Sequence, residues 1–243
     1  MMTSKTLVAL QFAYKDKSLE ENFETLATLV AQTLPNSIIL APELCLSGYK
    51  YEDMDKSAAF SKKIFPQILK LSCDKSIVLT LIEKENNSFF NTLYVLHNQT
   101  LIHKRAKAKL FPLGDEPKYF TSGSCDSIQV FNIDGIKIAV LICFELRFVE
   151  LWYKILGADI ILVPAFWGKA RREHFETLTK ALAITNQAFV IASNSCDEDM
   201  AASSGIITAF GEENRNNDLS LITQVYDPKI NKTMRRYIDR GLL

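Results

Sequence analysis

Apolar positions along this chain fall into two alternating patterns. Residues 7–12, 37–43, 76–82, 158–164 and 188–193 are short runs dominated by Ile, Val, Leu and Ala. Runs of that length and composition predict strands covered on both faces. Between them the apolar spacing lengthens. Leu19, Phe23, Leu26 and Val30 recur at helical intervals before Pro35, and residues 55–71, 148–157 and 171–186 carry similar periods, the 148–157 run stopping at Gly157. These predict helices with one buried face. In the middle, Asn98-Gln99 separates residues 91–97 from 100–104, and Asp134-Gly135 separates 128–133 from the next apolar run. Such polar pairs between strand-like runs predict hairpins. Residues 205–208 and 219–225 read as a final strand pair. Helices alternating with strands at both ends and hairpins in the middle fit two stacked mixed sheets with helices outside.

One stretch concentrates the chemistry. Residues 136–148 run from a buried strand, Ile138 to Ile142, straight into Cys143, Phe144, Glu145 and Arg147, with a helical pattern following. A thiol at a strand-to-helix turn can have its thiolate stabilised by the helix N-terminus. Taken alone, a cysteine there is more often a small buried hydrophobe. Two other strands end in marked residues, Pro42-Glu43 and Pro164 to Trp167, and sites in α/β sheets collect outside the carboxyl ends of strands.

Composition narrows the partners. Lysine plus arginine equal aspartate plus glutamate at 28 each, so the totals give no basic face for nucleic acid or anionic membrane. No apolar run approaches a membrane span, and residues 7–12 are too short for a signal segment. The five cysteines are odd in number, widely spaced and without a CxxC pair, which favours reduced thiols and a cytoplasmic setting over a disulfide framework or zinc site. No repeat or linker divides the 243 residues, so one domain over 1–243 is expected.

Several motifs then occur in order: Ala41-Pro42-Glu43 with Ser47-Gly48-Tyr49; Lys107 with Leu110-Phe111-Pro112, Glu116 and residues 120–123; and residues 141–148 around Cys143. Supporting segments are 157–159, 164–167, 174–178, 183–187 and 204–211. The ordered set resembles the carbon–nitrogen hydrolase (nitrilase-like) superfamily, with Leu146-Arg147-Phe148 and residues 174–178 most similar to its ω-amidase and Nit-type branch. The resemblance implies a four-layer α-β-β-α sandwich and a Glu43, Lys107, Cys143 triad with Glu116 as a second glutamate. Such a triad suits amide cleavage, where a thiolate attacks, a carboxylate moves protons, and Lys107 with the Phe144 backbone N–H meets the oxyanion.

The implied activity is hydrolysis of a small linear amide through a cysteine thioester, releasing ammonia, with N-carbamoyl amine or amino-acid hydrolysis as the alternative and a non-catalytic binding or scaffold paralogue from another class. Neither metal nor cofactor is implied, and the partner expected is a small amide or carbamoyl compound. Tyr49, Arg147 and Trp167 are candidates for binding it, within loops at 44–53, 112–122 and 166–172. A homodimer or larger assembly is expected, with Val149, Leu151, Trp152 and Ile155 supplying an apolar face. Departures from the family pattern stand at Lys109, Glu145, Leu182, Thr185, Ala202, Thr208 and Ala209.

Overall fold

A computed structural model describes residues 5–242. Among these, strands β1 (Thr6–Leu10), β2 (Ser37–Leu40), β3 (Ser76–Glu85), β4 (Ser88–His97), β5 (Thr100–Ala106) and β12 (Leu221–Val225) form one six-stranded sheet in the order β12-β1-β2-β3-β4-β5. Strands β6 (Phe131–Ile133), β7 (Ile136–Val140), β8 (Ile160–Pro164), β9 (Phe189–Ser193), β10 (Gly205–Ile207) and β11 (Glu213–Arg215) form a second, ordered β11-β10-β9-β8-β7-β6. Each has three parallel central strands, β1-β2-β3 and β7-β8-β9, and antiparallel strands outside them.

Side-chain alternation explains the layering. Leu7, Ala9, Ile38, Leu40, Val78, Leu93 and Val95 point from the first sheet into a core shared with the second. Their neighbours Val8, Leu10, Ile39, Ile77, Leu79 and Leu96 point the other way, against Leu26 and Val30 of α1 (Leu19–Ala31) and Phe60, Ile64 and Ile68 of α2 (Met54–Leu71). The period of two thus serves two cores at once. The second sheet is covered outside by α4 (Val149–Lys154) and α5 (Arg172–Asn186), through Leu151, Trp152, Phe175, Leu182 and Ala183. The result is the α-β-β-α sandwich of two mixed sheets.

Local chemistry sets the boundaries. Ser18 caps α1 in a reciprocal box with Glu21. Asn98 and Gln99 adopt φ of 45° and 60°, and Asp134 and Gly135 φ of 51° and 83°, as the two expected hairpins require. A short helix α3 (Glu116–Tyr119) and a terminal helix α6 (Pro228–Tyr237) complete the chain. The latter is docked by Arg235, which donates to Asp159 Oδ1 (2.9 Å) and Ala158 O (2.8 Å). No helix among the described residues is long and apolar enough to cross a membrane.

Three expectations need correction. The final strand pair does not exist: β10 lies on β9 in the second sheet, whereas β12 lies on β1 in the first. The chain crosses between sheets there, held by Gln11, whose Nε2 donates to the carbonyls of Asn216 and Asn217, both at 3.0 Å. The run 128–133 is a strand only at its end, because residues 125–127 form a single 3₁₀ turn. On α4, Leu151, Trp152 and Ile155 are core residues, and the outward positions are Val149 and Tyr153, 51% and 65% exposed. Residues 151, 152 and 155 share the helix face turned towards the second sheet.

Candidate active site

The cleft is built where strand ends of the two sheets meet. Glu43 follows β2 and is fully buried; its N–H donates to Ala165 O (3.1 Å) beyond β8, and its carbonyl accepts from the Tyr14 hydroxyl (2.6 Å). Its backbone is therefore fixed from both sheets. Leu44, at φ 47°, turns the chain and donates to Thr80 Oγ1 (2.7 Å), after which Gly48, at φ 59°, brings Tyr49 back over the strand ends.

Lys107 follows β5 and is also fully buried. Its N–H donates to Asn91 O (2.8 Å) and its carbonyl accepts from Gly123 N–H (2.8 Å). A side chain at Gly123 would place its Cβ 2.5 Å from Ala106 O, so only glycine lets the 120–123 segment lie this close to β5. The Lys107 ammonium donates to Glu43 Oε1 (2.7 Å) and Glu116 Oε1 (2.8 Å), with Tyr49 Oη at 3.4 Å. Glu116 is steadied by Phe111 N–H on its other oxygen (3.1 Å), and Asn91 Nδ2 donates to Glu43 Oε1 (2.9 Å). Among the described residues, Glu43 Oε2 is buried and has no hydrogen-bond partner. One carboxylate oxygen is thus saturated and the other left available.

Cys143 opens a 3₁₀ turn, Cys143–Arg147, rather than a long helix, and adopts φ 47°. That conformation costs a non-glycine residue about 1–3 kcal/mol and persists only where neighbours over-determine it. Here Leu141 N–H bonds to Leu162 O (2.9 Å), and Ile142 N–H bonds to Glu145 Oε2 (2.7 Å). The thiol shares a cleft of about 230 Å³ with Glu43, Tyr49 and Glu116.

Electrostatics separate the roles of these groups. Burial alone would lower the Lys107 pKa, but the charges of Glu43 and Glu116 outweigh it and hold the pKa above the ordinary lysine range, so the ammonium is permanent. Burial raises the Glu116 carboxyl, against the pull of Lys107. Burial also pushes the Cys143 thiol well up, reinforced by Glu43 and opposed by Lys107. The thiolate that a helix N-terminus could stabilise is therefore not the resting form: desolvation exceeds what one short turn offers.

The sequence candidates converge. Cys143, Phe144, Arg147 and Trp167 line the smaller end of the cleft, with Phe111, Phe166 and Arg171. Tyr49, Tyr51, Leu113 and Met200 line the rest with Glu43, Glu116 and Cys143. The three expected loops all contribute; Phe166 and Arg171 fall within the 166–172 loop without having been singled out, and Met200 lies outside all three. The Arg147 guanidinium lies 4.4 Å from the Trp167 ring centre, within reach of His174 Nδ1 (3.2 Å), and Arg171 lies 5.2 Å from the Phe111 ring centre. Among the described residues neither guanidinium meets a carboxylate, and the Trp167 indole N–H is buried without an acceptor. Asn194 holds the Trp167 backbone at both ends, accepting from its N–H (2.8 Å) and donating to its carbonyl (3.1 Å).

Comparison with known proteins bears on the family and the fold. The chain is 30% identical over 219 residues to the 2-oxoglutaramate amidase of Bacillus subtilis, covering 85% of this chain and 83% of that one. It is 26% identical over 206 residues to the deaminated glutathione amidase of Escherichia coli O157:H7, covering 79% and 78%. The fold superposes on a carbon–nitrogen hydrolase superfamily protein from Xanthomonas campestris with a TM-score of 0.86 and 21% identity, covering 98% and 96% of the two chains. The family model for carbon–nitrogen hydrolases matches residues 6–233, and with two six-stranded sheets and a buried Glu–Lys–Glu cluster beside a cysteine, the chain belongs to the carbon–nitrogen hydrolase family.

Proposed function

We propose that this amidase hydrolyses a small linear amide bearing a carboxylate, through a thioester on Cys143, and releases ammonia. One observation carries the reading: Lys107 bonds both buried glutamates while Glu43 Oε2 stays free in the cleft that holds the Cys143 thiol. Because burial keeps that thiol protonated, its proton moves to Glu43 as sulfur attacks the amide carbon. The oxyanion that forms is met by the Lys107 ammonium and the Phe144 backbone N–H; one such donor is worth about 2.7–4 kcal/mol of barrier. Collapse breaks the C–N bond, and Glu43 returns the proton to the departing nitrogen, giving ammonia. Water then gives a proton to Glu43 and attacks the thioester; as sulfur leaves it regains that proton, and the acid is released. Glu116 holds Lys107 between the two carboxylates throughout.

A carboxylate in the substrate is supported by Arg147 and Arg171, two guanidinium groups without acidic partners among the described residues at the narrow end of the cleft, beside an indole N–H that lacks an acceptor there. Guanidinium groups favour planar anions of that kind. The names of relatives, 2-oxoglutaramate amidase and ω-amidase, suit the same class. Tyr49 packs over the lysine and lines the cleft floor. We read the protein as one cytoplasmic hydrolase domain, associating as a homodimer or larger through the exposed Val149 and Tyr153 side of α4.

The test is to incubate the protein with monoamides of dicarboxylic acids, neutral amides and N-carbamoyl amino acids while following ammonia, carbon dioxide and intact mass. The expected result is ammonia from the carboxylate-bearing amides and an acyl adduct absent from Cys143→Ala. Carbon dioxide released with ammonia would shift the reading to carbamoyl hydrolysis. No ammonia from any compound, together with a Cys143 inert to iodoacetamide, would overturn the enzyme reading.

A further inference from the structure

Glu145 lies two residues beyond the thiol, outside the group just described, and its carboxylate is fully buried. Each of its oxygens accepts two N–H bonds. Oε1 receives Arg105 Nη1 (2.8 Å) and Ala108 N (2.7 Å); Oε2 receives Arg105 Nη2 (2.6 Å) and Ile142 N (2.7 Å). Arg105, itself buried, also donates from Nη2 to Val140 O (3.0 Å). The partners of this ion pair come from two places. Arg105 and Ala108 flank Lys107 on the first sheet, while Val140 and Ile142 precede Cys143 on the second.

We infer that Glu145 is a positioning residue: with Arg105 it clamps the Lys107 segment to the Cys143 turn and so sets where the ammonium stands relative to the sulfur. The inference rests on the amidase reading for its consequence in turnover, but the geometry gives it a consequence in thiol reactivity as well. Lys107 and Cys143 belong to different sheets, and the carboxylate of Glu145 bonds directly to the chain beside both. Its Oε2 also restrains Ile142, the residue before the left-handed turn at Cys143. A glutamine cannot substitute: its NH₂ would face two N–H donors where an acceptor is required. An aspartate keeps the charge but is one methylene short of reaching both segments. A misplacement of about 1 Å between reacting groups costs about a hundredfold in rate.

The experiment compares wild type with Glu145→Gln, Glu145→Asp and Arg105→Lys, each shown folded by circular dichroism. It follows iodoacetamide alkylation of Cys143 by peptide mass across pH, and kcat and KM on the best amide. For Glu145→Gln the expected result is a displaced alkylation profile, a rate at least about tenfold slower, and a kcat reduced by about 10–100-fold with KM within about threefold. Glu145→Asp should fall between that and wild type. If Glu145→Gln does not fold, Arg105→Lys, which keeps a cation but loses the forked contact, is read in the same way. A folded variant whose profile and kcat overlay wild type within about twofold overturns the clamp, because a merely structural role would lower stability alone. The two readings fail separately. Wild-type turnover with unaltered Glu145→Gln sinks the clamp only, whereas slowed alkylation in the variant with no amide hydrolysed by wild type sinks the amidase reading only.

Discussion

Replacing Lys107 with methionine removes the cation between two buried carboxylates while keeping an unbranched side chain one atom shorter. The Nζ contacts of 2.7 Å to Glu43 and 2.8 Å to Glu116 each correspond to about 6 kcal/mol of Coulomb attraction at an effective dielectric of about 20, before desolvation is subtracted. Deleting one partner of such a buried pair costs about 3–5 kcal/mol, because the charges left behind stay buried. That is a large share of the roughly 5–15 kcal/mol that stabilises a typical domain. The loss should depend on pH with a definite sign. Burial already raises the Glu116 carboxyl above its unfolded value, and Lys107 opposes that shift; without the lysine the carboxyl rises further. A carboxyl raised in the folded state contributes stability below its unfolded pKa and loses it as pH climbs through the folded pKa. The deficit of Lys107→Met against wild type is therefore largest above neutrality and shrinks in acid, by about 1.4 kcal/mol for each pKa unit the variant's carboxyl has risen. Urea unfolding at about pH 8 and about pH 5.5, analysed by linear extrapolation, measures both values. A deficit under about 1 kcal/mol at both pH values, or one that grows in acid, would refute the buried-pair reasoning.

Two further outcomes follow from the same geometry. Arg147→Ala and Arg171→Ala should each raise KM for a carboxylate-bearing amide about 10–100-fold, the cost of one hydrogen bond to a charged group, while barely moving KM for a neutral amide of equal size; steady-state kinetics on the pair of substrates decides it. Cys45, fully buried and with its thiol pushed up to about 12, should resist alkylation in the native protein at about pH 8, since about a thousandfold less of it is thiolate than in an ordinary cysteine, whereas exposed Cys73 is modified at once; peptide mass mapping separates the two.

The apolar pattern alone carried the stacked-sheet class, both polar-turn hairpins and the helices over residues 19–31, 54–71 and 172–186, because periodicity and turn chemistry are local. The family resemblance, not the apolar pattern, linked the motifs holding Glu43, Lys107, Glu116 and Cys143. The apolar pattern did not carry strand partnership. Residues 205–207 and 221–225 look like neighbours in sequence, yet they lie in different sheets, since any buried apolar strand can pair with several others and long-range packing chooses among them. Nor did it give the state of the thiol. A turn after a strand suggests a cysteine whose thiolate a helix N-terminus can stabilise; the fold instead buries Cys143, sets it at φ 47° and raises its pKa. Glu145 is the sharpest case. In sequence it is an acid two places after a cysteine, standing where the family more often has an aspartate. Only the tertiary structure adds Arg105 and the Ala108 N–H to the nearby Ile142 N–H around it, because those two residues lie 40 and 37 positions away in sequence and reach it where the two sheets are joined.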